Sequence, residues 1–297
     1  MKTLTIFTPT YNRADTLLRT YQSLCNQTSK DFEWLIIDDG STDNTAEIVE
    51  KWIKDADFKI RYIYKENGGL YTGYNTAYAN IDTELNVCID SDDYIPKNAV
   101  ELIVNHWKKY GNLNYAGIIG LDFYHNSNRP IGGYFPNNLR EVYLLDLTTK
   151  KIHFGDTKQV MRTGLMKKVA PLIGFSGEKN MNPYAMLVQA CDDYPLLVLN
   201  CNLCFVEYQD NGMSRNIYQQ YINSPKSFAK SRIIEMSLKR STFKHKIKSA
   251  IHYVAECLLA KDCKWLKNSP QKVITIAVSP ISLLLYILIV YKTKINK

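Results

Sequence analysis

Leu85-Asn86-Val87-Cys88-Ile89-Asp90-Ser91-Asp92-Asp93 is the stretch on which the reading of this 297-residue chain turns. A short, largely apolar run stops abruptly at three carboxylates within four residues. Runs of that length bounded by polar residues read as strands buried on both faces, the form strands take in a parallel sheet. Upstream, Leu4–Phe7, Glu33–Ile37 and Ile60–Tyr64 have the same character, and Ala116–Gly120 follows downstream. Between them lie segments with helical spacing: 14–27, a helix opening at Asp43 or Thr45 and running to about residue 55, then 70–80 and 97–110. Strand–helix alternation of this kind implies right-handed crossovers and a parallel sheet. The expected fold class is α/β, a mostly parallel central sheet flanked by helices. After residue 122 the pattern loosens into Pro- and Gly-marked loops, with one more buried strand region within Tyr194–Tyr208.

In open α/β sheets ligands sit at the carboxyl ends of the strands. Four polar loops fall there: Pro9-Thr10-Tyr11-Asn12-Arg13, Asp38-Asp39-Gly40-Ser41, Glu66-Asn67-Gly68-Gly69 and Asp90-Ser91-Asp92-Asp93. Each alone has the composition of an ordinary turn. Together they place acids after neighbouring strands, where their repulsion favours a cation. Carboxylate oxygens suit Mg2+ or Mn2+, which keep few protein ligands and bridge phosphates. Asp38 and Asp39 offer carboxylates to a base or a ribose, Tyr11 a ring for stacking, and Gly68-Gly69 a backbone that a pyrophosphate can approach. Asn75 lies in the helix that follows. The sequence holds no GxxxxGK[ST], GxGxxG or HExxH element, which argues against a P-loop NTPase, a dinucleotide oxidoreductase and a zincin. A nucleotide-sugar site fits best.

Charge divides the chain. Residues 226–297 carry 15 Lys or Arg against 3 acids, whereas the remainder is mildly acidic. Val273–Tyr291 has no charged residue and is flanked by lysines on both sides. Basic residues beside an apolar run suit an anionic membrane surface better than nucleic acid. Pro280, Ser279 and Ser282 interrupt the run, and two basic flanks disfavour a single crossing, so a kinked or re-entrant hairpin is expected. Phe243, Ile247, Ile251, Val254 and Leu258 recur at helical spacing among lysines, the pattern of a helix lying on a bilayer. Seven scattered cysteines make no disulfide framework, and the N-terminal apolar stretch is short for a signal peptide. A reduced chain on the cytoplasmic face of the membrane, peripheral or re-entrant, is the expectation. Cys201 and Cys204 read as small hydrophobes of a strand.

Thr8-Pro9-Thr10-Tyr11-Asn12-Arg13, Ile37-Asp38-Asp39-Gly40-Ser41-Thr42-Asp43, Asn67-Gly68-Gly69 with Asn75, and Cys88-Ile89-Asp90-Ser91-Asp92-Asp93 resemble, in order and spacing, family-2 glycosyltransferases of the GT-A fold. The resemblance covers residues 1–125 and continues more weakly through Gly155-Asp156-Thr157-Lys158, Gly177-Glu178-Lys179 and Val206-Glu207-Tyr208, like bacterial enzymes that build capsule or exopolysaccharide on a lipid carrier. It implies a catalytic domain over 1–225, split into a nucleotide-sugar half (1–125) and an acceptor half (126–225), followed by a membrane-associating region (226–297). It implies inverting transfer from a nucleotide sugar, with UDP expected, to a lipid-linked saccharide. The backbone of Pro9 and the ring of Tyr11 would hold the base, Asp39 would pair with it beside Asp38, and Asn67 and Gly68 would lie near the donor. Asp90 would touch ribose or metal, Asp92 would be the main ligand of Mn2+ or Mg2+, and Asp93 would cap the next turn ahead of Pro96. Thr10, Arg13, Ser91 and Asn75 complete the donor set. Glu178 is the expected general base, with Asp192 and Asp193 as alternatives; Tyr184 stands where related sequences often carry an acid. A nucleotidyltransferase and a non-catalytic, membrane-anchored binder of nucleotide sugars are the competing readings.

Overall fold

The computed structural model describes residues 2–208 and 217–295. The first part alternates as expected: β1 (Leu4–Thr10), α1 (Ala14–Cys25), β2 (Phe32–Asp38), α2 (Thr45–Asp55), β3 (Ile60–Tyr64), α3 (Leu70–Asn80), β4 (Leu85–Cys88) and α4 (Ala99–Tyr110). Next come β5 (Gly117–Tyr124), β6 (Glu141–Val142), α5 (Leu144–Thr149), β7 (Thr157–Arg162), α6 (Thr163–Val169), α7 (Tyr184–Ala190) and β8 (Leu196–Val206). Helices complete it: α8 (Ile217–Asn223), α9 (Pro225–Ser237), α10 (Phe243–Leu259), α11 (Trp265–Asn268) and α12 (Lys272–Ile295).

The strands form one sheet in the order β3-β2-β1-β4-β7-β5-β8-β6. β3, β2, β1 and β4 are mutually parallel, as are β5 and β8. β7 is the departure from expectation: it runs antiparallel between β4 and β5. Its first half, Thr157-Lys158-Gln159, is polar and half-buried because it borders a cavity, so it lacks the apolar run that marked the other strands. Successive residues of β1 and β2 point to opposite faces, and both faces are covered. Leu4, Ile6, Trp34 and Ile36 pack with Leu17 and Leu24 of α1 on one side; Phe7, Leu35 and Ile37 pack with Ala77 and Tyr78 of α3 on the other.

α1 serves the site with its polar face. Thr20 Oγ1 donates to the Asp93 carbonyl at 2.7 Å, and Ser23 Oγ accepts from Ile95 N at 3.3 Å. Gln27 donates to the Pro96 carbonyl at 2.9 Å and accepts from Val100 N at 3.1 Å. Arg19 donates to the Asp92 carbonyl. Residues spaced by one turn therefore grip the whole β4–α4 connection.

The C-terminal region corrects two expectations. The 273–291 run is not a re-entrant hairpin but part of one continuous 24-residue helix with Pro280 inside it. Proline removes one backbone donor there, and the Ser279 and Ser282 hydroxyls bond back to the Thr275 and Val278 carbonyls of the same helix, so neither serine breaks it. The middle of the apolar stripe of α10 is covered by protein, since Val254 is buried and Ile247 and Ile251 pack in the cluster shared with α9 and α12, while Phe243 and Leu258 towards its ends stay exposed. The outward apolar face belongs to α12 instead. Its buried positions include Thr275, Ser282 and Thr293, while Val273, Ile276, Ile281, Leu284, Ile287 and Tyr291 are exposed.

Gln27→Ala leaves the Val100 N–H and the Pro96 carbonyl without their partner, a loss of about 2 kcal/mol. Calorimetry is expected to show a melting temperature lower by about 4–8 °C; an unchanged transition would show that α1 does not brace the turn.

Candidate active site

Three strands bring carboxylates to one edge of the sheet. Asp90 follows β4, Asp122 lies in β5, and Asp156 precedes β7, which sits between them. The Asp122 N–H points to the Asp156 carbonyl at 3.4 Å, continuing the β5–β7 ladder. These acids, with Lys158, His153 and Tyr184, line a cavity of about 500 Å³.

Lys158 was absent from the expected set. Its ammonium lies 3.7 Å from both Asp93 and Asp122, and all three are largely buried. Burial alone would depress the lysine, but Asp122 and Asp93 more than offset it and hold the ammonium protonated. One ammonium cannot neutralise two buried carboxylates. Burial pushes Asp93 up to about 8 and Asp122 up to about 6, against the pull of Lys158. The Asp93 side chain, expected to cap the following turn, is a buried partner of Lys158, and α4 opens after its N-cap residue Asn98. Gly155-Asp156-Thr157-Lys158 was visible in the sequence, but only the antiparallel course of β7 brings it to Asp90.

Asp90 is exposed and Asp92 half-buried. Burial, then the charge of Asp90, raises the Asp92 carboxyl above the usual range, with Arg13 and Arg19 opposing. Among the described residues neither carboxylate forms an ion pair. Tyr11 and Arg13 are exposed on the β1–α1 loop, while Thr10 Oγ1 is buried without a partner. That loop is knitted to the next by Asn12, which accepts from Thr42 N at 2.7 Å and donates its own N–H to Ser41 Oγ at 2.9 Å. Pro9 packs under α3, where a Cβ at Gly73 would lie 3.2 Å from it. Ser91 is buried in the turn.

Several expected donor contacts are occupied by the protein itself. Asp39 accepts from the N–H groups of Gly68 and Gly69 at 2.9 and 2.8 Å, from Asn67 Nδ2 at 3.2 Å, and from Lys65. It therefore pins the β3–α3 loop, and its carboxylate is already fully hydrogen-bonded. Asp38 accepts from Ser41 N at 2.7 Å and from the Tyr62 hydroxyl at 2.5 Å. The Asn75 side chain bonds both ways to the Leu172 backbone, at 2.9 and 2.8 Å, so it clamps α3 to that segment. Asn67 Oδ1 takes Lys179 Nζ at 2.6 Å. Gly69, at φ +91°, passes so close that a Cβ would lie 2.2 Å from the Lys179 carbonyl oxygen. No other residue fits that crossing.

The three candidate bases also lie elsewhere. Glu178 is buried, and its carboxylate accepts from Lys226 N at 3.1 Å and Ser227 N at 2.7 Å, capping the amino end of α9. Asp192 accepts from Lys239 N and Arg240 N at 2.9 and 3.1 Å, bracing the turn after α9. Asp193 pairs with Lys239 at 2.6 Å on the surface. None of the three lines the cavity. Tyr184 does, but burial holds its phenol far above the usual range. His153 lines it too, beneath Phe135, with its Nε2 buried and without a partner; burial lowers its proton affinity. Glu207 pairs with Arg19 at 2.7 Å. Asn211-Gly212-Met213-Ser214-Arg215, a turn by composition, lies outside the described residues. Cys204 is buried and Cys201 half-buried, both as free thiols in β8.

A family model described as glycosyl transferase family 2 matches residues 5–169. Glycosyltransferase GlyA of Streptococcus pneumoniae serotype 4 is 31% identical over 140 residues, 47% of this chain and 19% of the relative. Chondroitin synthase of Pasteurella multocida is 37% identical over 106 residues, 36% of this chain and 11% of the relative. The chain thus spans a fifth or less of the length of these curated relatives. Among solved structures, TarS 1-349 of S. aureus in complex with UDP-GlcNAc aligns with a TM-score of 0.60 and 19% identity, covering 94% of this chain and 79% of that one. Mannosyltransferase PcManGT of Pyrobaculum calidifontis, in complex with GDP-Man and Mn2+, aligns with a TM-score of 0.56 and 14% identity, covering 95% and 87%. The fold is GT-A-like.

Glu178→Ala removes a cap and is expected to cost about 1–2 kcal/mol of stability, read by calorimetry. Glu178→Gln, which keeps one acceptor, is expected to fall between the two. A variant as stable as the parent would return Glu178 to the list of candidate bases.

Proposed function

The chain belongs to glycosyl transferase family 2, and we propose that it transfers a sugar, with inversion, from a nucleotide-diphosphate donor to a hydroxyl of a saccharide acceptor. One observation carries this reading: Asp90, which shares its turn with Asp92 and like it forms no ion pair among the described residues, lines a cavity of about 500 Å³ at the carboxyl edge of the sheet. Complexes of structural neighbours with UDP-GlcNAc and with GDP-Man support a nucleotide-sugar donor. The relatives' names point to glycosyl transfer, not to nucleotide-sugar synthesis.

The pair also fits a divalent cation. Burial, then the charge of Asp90, raises the Asp92 carboxyl, and among the described residues no lysine or arginine side chain closes on either within ion-pair distance. Among the described residues no group of three or more His, Cys, Asp or Glu forms a closed cage. Two carboxylates leave positions for water and phosphate oxygens, the habit of Mg2+ and Mn2+. Such an ion would neutralise charge gathering on the departing diphosphate. The chain's own residues do the positioning. Arg19 and Thr20 hold the Asp90–Asp93 turn, Asp39 holds the Gly68–Gly69 backbone that a diphosphate can approach, and Tyr11 presents an open ring to the base. Because the Asp39 carboxylate is engaged, base recognition falls to Tyr11 and the surrounding backbone.

We take 1–225 as the catalytic unit and 226–297 as its membrane-associating region, acting peripherally at the cytoplasmic face on a lipid-linked acceptor. α12 is long and apolar enough to cross a membrane, about 36 Å for its 24 residues at about 1.5 Å each. Its packing favours lying on the surface instead. One face is held against α10, which carries Lys244, Lys246 and Lys248. Hydroxyls on the packed face and leucines and isoleucines on the open one are the arrangement of a helix whose solvent is lipid.

Two tests follow. Titration calorimetry with Mn2+ and a panel of UDP-sugars is expected to show metal-dependent donor binding that Asp92→Ala abolishes; binding retained by the variant without metal would overturn the ligand assignment. Sedimentation with vesicles is expected to show binding to anionic but not neutral lipid, lost on deleting 272–297 and reversed by alkaline carbonate. Resistance to carbonate would mean that α12 crosses.

A further inference from the structure

Inverting transfer needs a group that takes the acceptor's proton, and every residue expected for that task is committed elsewhere: Glu178 to α9, Asp192 to a turn and Asp193 to Lys239. The cavity itself supplies four carboxylates, Asp90, Asp93, Asp122 and Asp156. Asp90 belongs to the cation pair. Asp93 and Asp122 are buried against Lys158, and Asp122 Oδ1 is closed off from solvent. The unpartnered Nε2 of His153 is equally closed off. Asp156 remains: it is exposed, lines the cavity and forms no ion pair among the described residues. It sits beyond the first residue of β7, the strand inserted between the one that ends at Asp90 and the one that bears Asp122. Its position is fixed on two sides. Gly155 packs so tightly that a Cβ there would meet the Ile131 carbonyl oxygen at 1.6 Å, and the Tyr208 hydroxyl donates to Asp156 Oδ2 at 2.5 Å. One carboxylate oxygen is held by the tyrosine, which leaves the other to face an incoming hydroxyl.

We propose that Asp156 is the general base of the transfer, aligned by Tyr208 as a positioning residue. The step balances simply. The acceptor O–H proton passes to the open oxygen of Asp156 as the acceptor oxygen bonds to the anomeric carbon. The bond from that carbon to the diphosphate oxygen breaks, and its electron pair leaves with the nucleoside diphosphate.

This assignment rests on the sugar-transfer reading, and the experiment separates the two. UDP release is measured on the full chain with Mn2+ and UDP-GlcNAc, UDP-glucose, UDP-galactose or UDP-glucuronate, and UDP–Mn2+ binding is measured alongside by calorimetry. Asp156→Asn is expected to slow release by about 10²–10⁴-fold while UDP–Mn2+ binding and melting temperature stay at parent values. Tyr208→Phe, which removes the hydrogen bond that orients the carboxylate, is expected to lower kcat while the donor KM and UDP–Mn2+ binding stay at parent values. A parent rate in Asp156→Asn overturns the assignment. Loss of UDP–Mn2+ binding in that variant makes Asp156 a donor ligand and overturns it equally. A parent kcat in Tyr208→Phe rejects the alignment through Tyr208. A parent chain that binds and turns over none of these donors removes the sugar-transfer reading itself.

Discussion

Crowded negative charge at one sheet edge is the constraint around which this structure is arranged. Asp90, Asp92, Asp93, Asp122 and Asp156 come together where β4, β7 and β5 end or begin, and the buried lysine among them is Lys158. Folding brings them together against their repulsion, so the turn that carries them must be held by other bonds. α1 does so through Arg19, Thr20 and Ser23, and Gln27 just past its end adds two more bonds. The antiparallel bridge between Tyr94 and Phe205 ties the same turn to β8. Lys158 sits against Asp93 and Asp122, and Asp90 and Asp92 remain as the two carboxylates of the turn without an ion-pair partner among the described residues, where a cation would relieve their repulsion.

Much of the scaffold was legible in the sequence because burial on both faces leaves a simple signature. β3 and α3 fall where their apolar runs and the Gly68-Gly69 break place them, and the four polar loops do lie along one edge. β7 escaped because half of it borders a cavity and carries Thr157, Lys158 and Gln159 where a core strand would carry valine or isoleucine. The roles of individual polar residues were harder for a different reason. Asp, Asn and Glu satisfy backbone N–H groups as readily as they bind ligands. Nothing local to Asp39 announces that it holds Gly68 and Gly69, nor to Asn75 that its partner is Leu172, nearly a hundred positions on. Glu178 is the sharpest case. Its carboxylate substitutes for the side-chain cap that Ser224 does not supply to α9.

The C-terminal helices show the same limit at larger scale. Periodicity in α10 marked an apolar stripe correctly but not what covers it. Continuous hydropathy in α12 hid an asymmetry of another kind, with small hydroxyl residues packed inward and large aliphatic ones outward. The hydroxyls close on their own helix carbonyls, so their burial leaves no donor unmet. A water-facing helix would invert that order. α9, whose amino end is capped by Glu178 and whose side packs on α10 and α12, joins the GT-A-like part of the chain to its C-terminal helices.

Crystallography of the chain with Mn2+ and UDP tests the central claim most directly. The account predicts an anomalous scattering peak between the carboxylates of Asp90 and Asp92, with diphosphate oxygens completing its coordination. A diphosphate seated in the cavity with no peak at that pair, or a peak held by Asp93, Asp122 and a displaced Lys158, would contradict it.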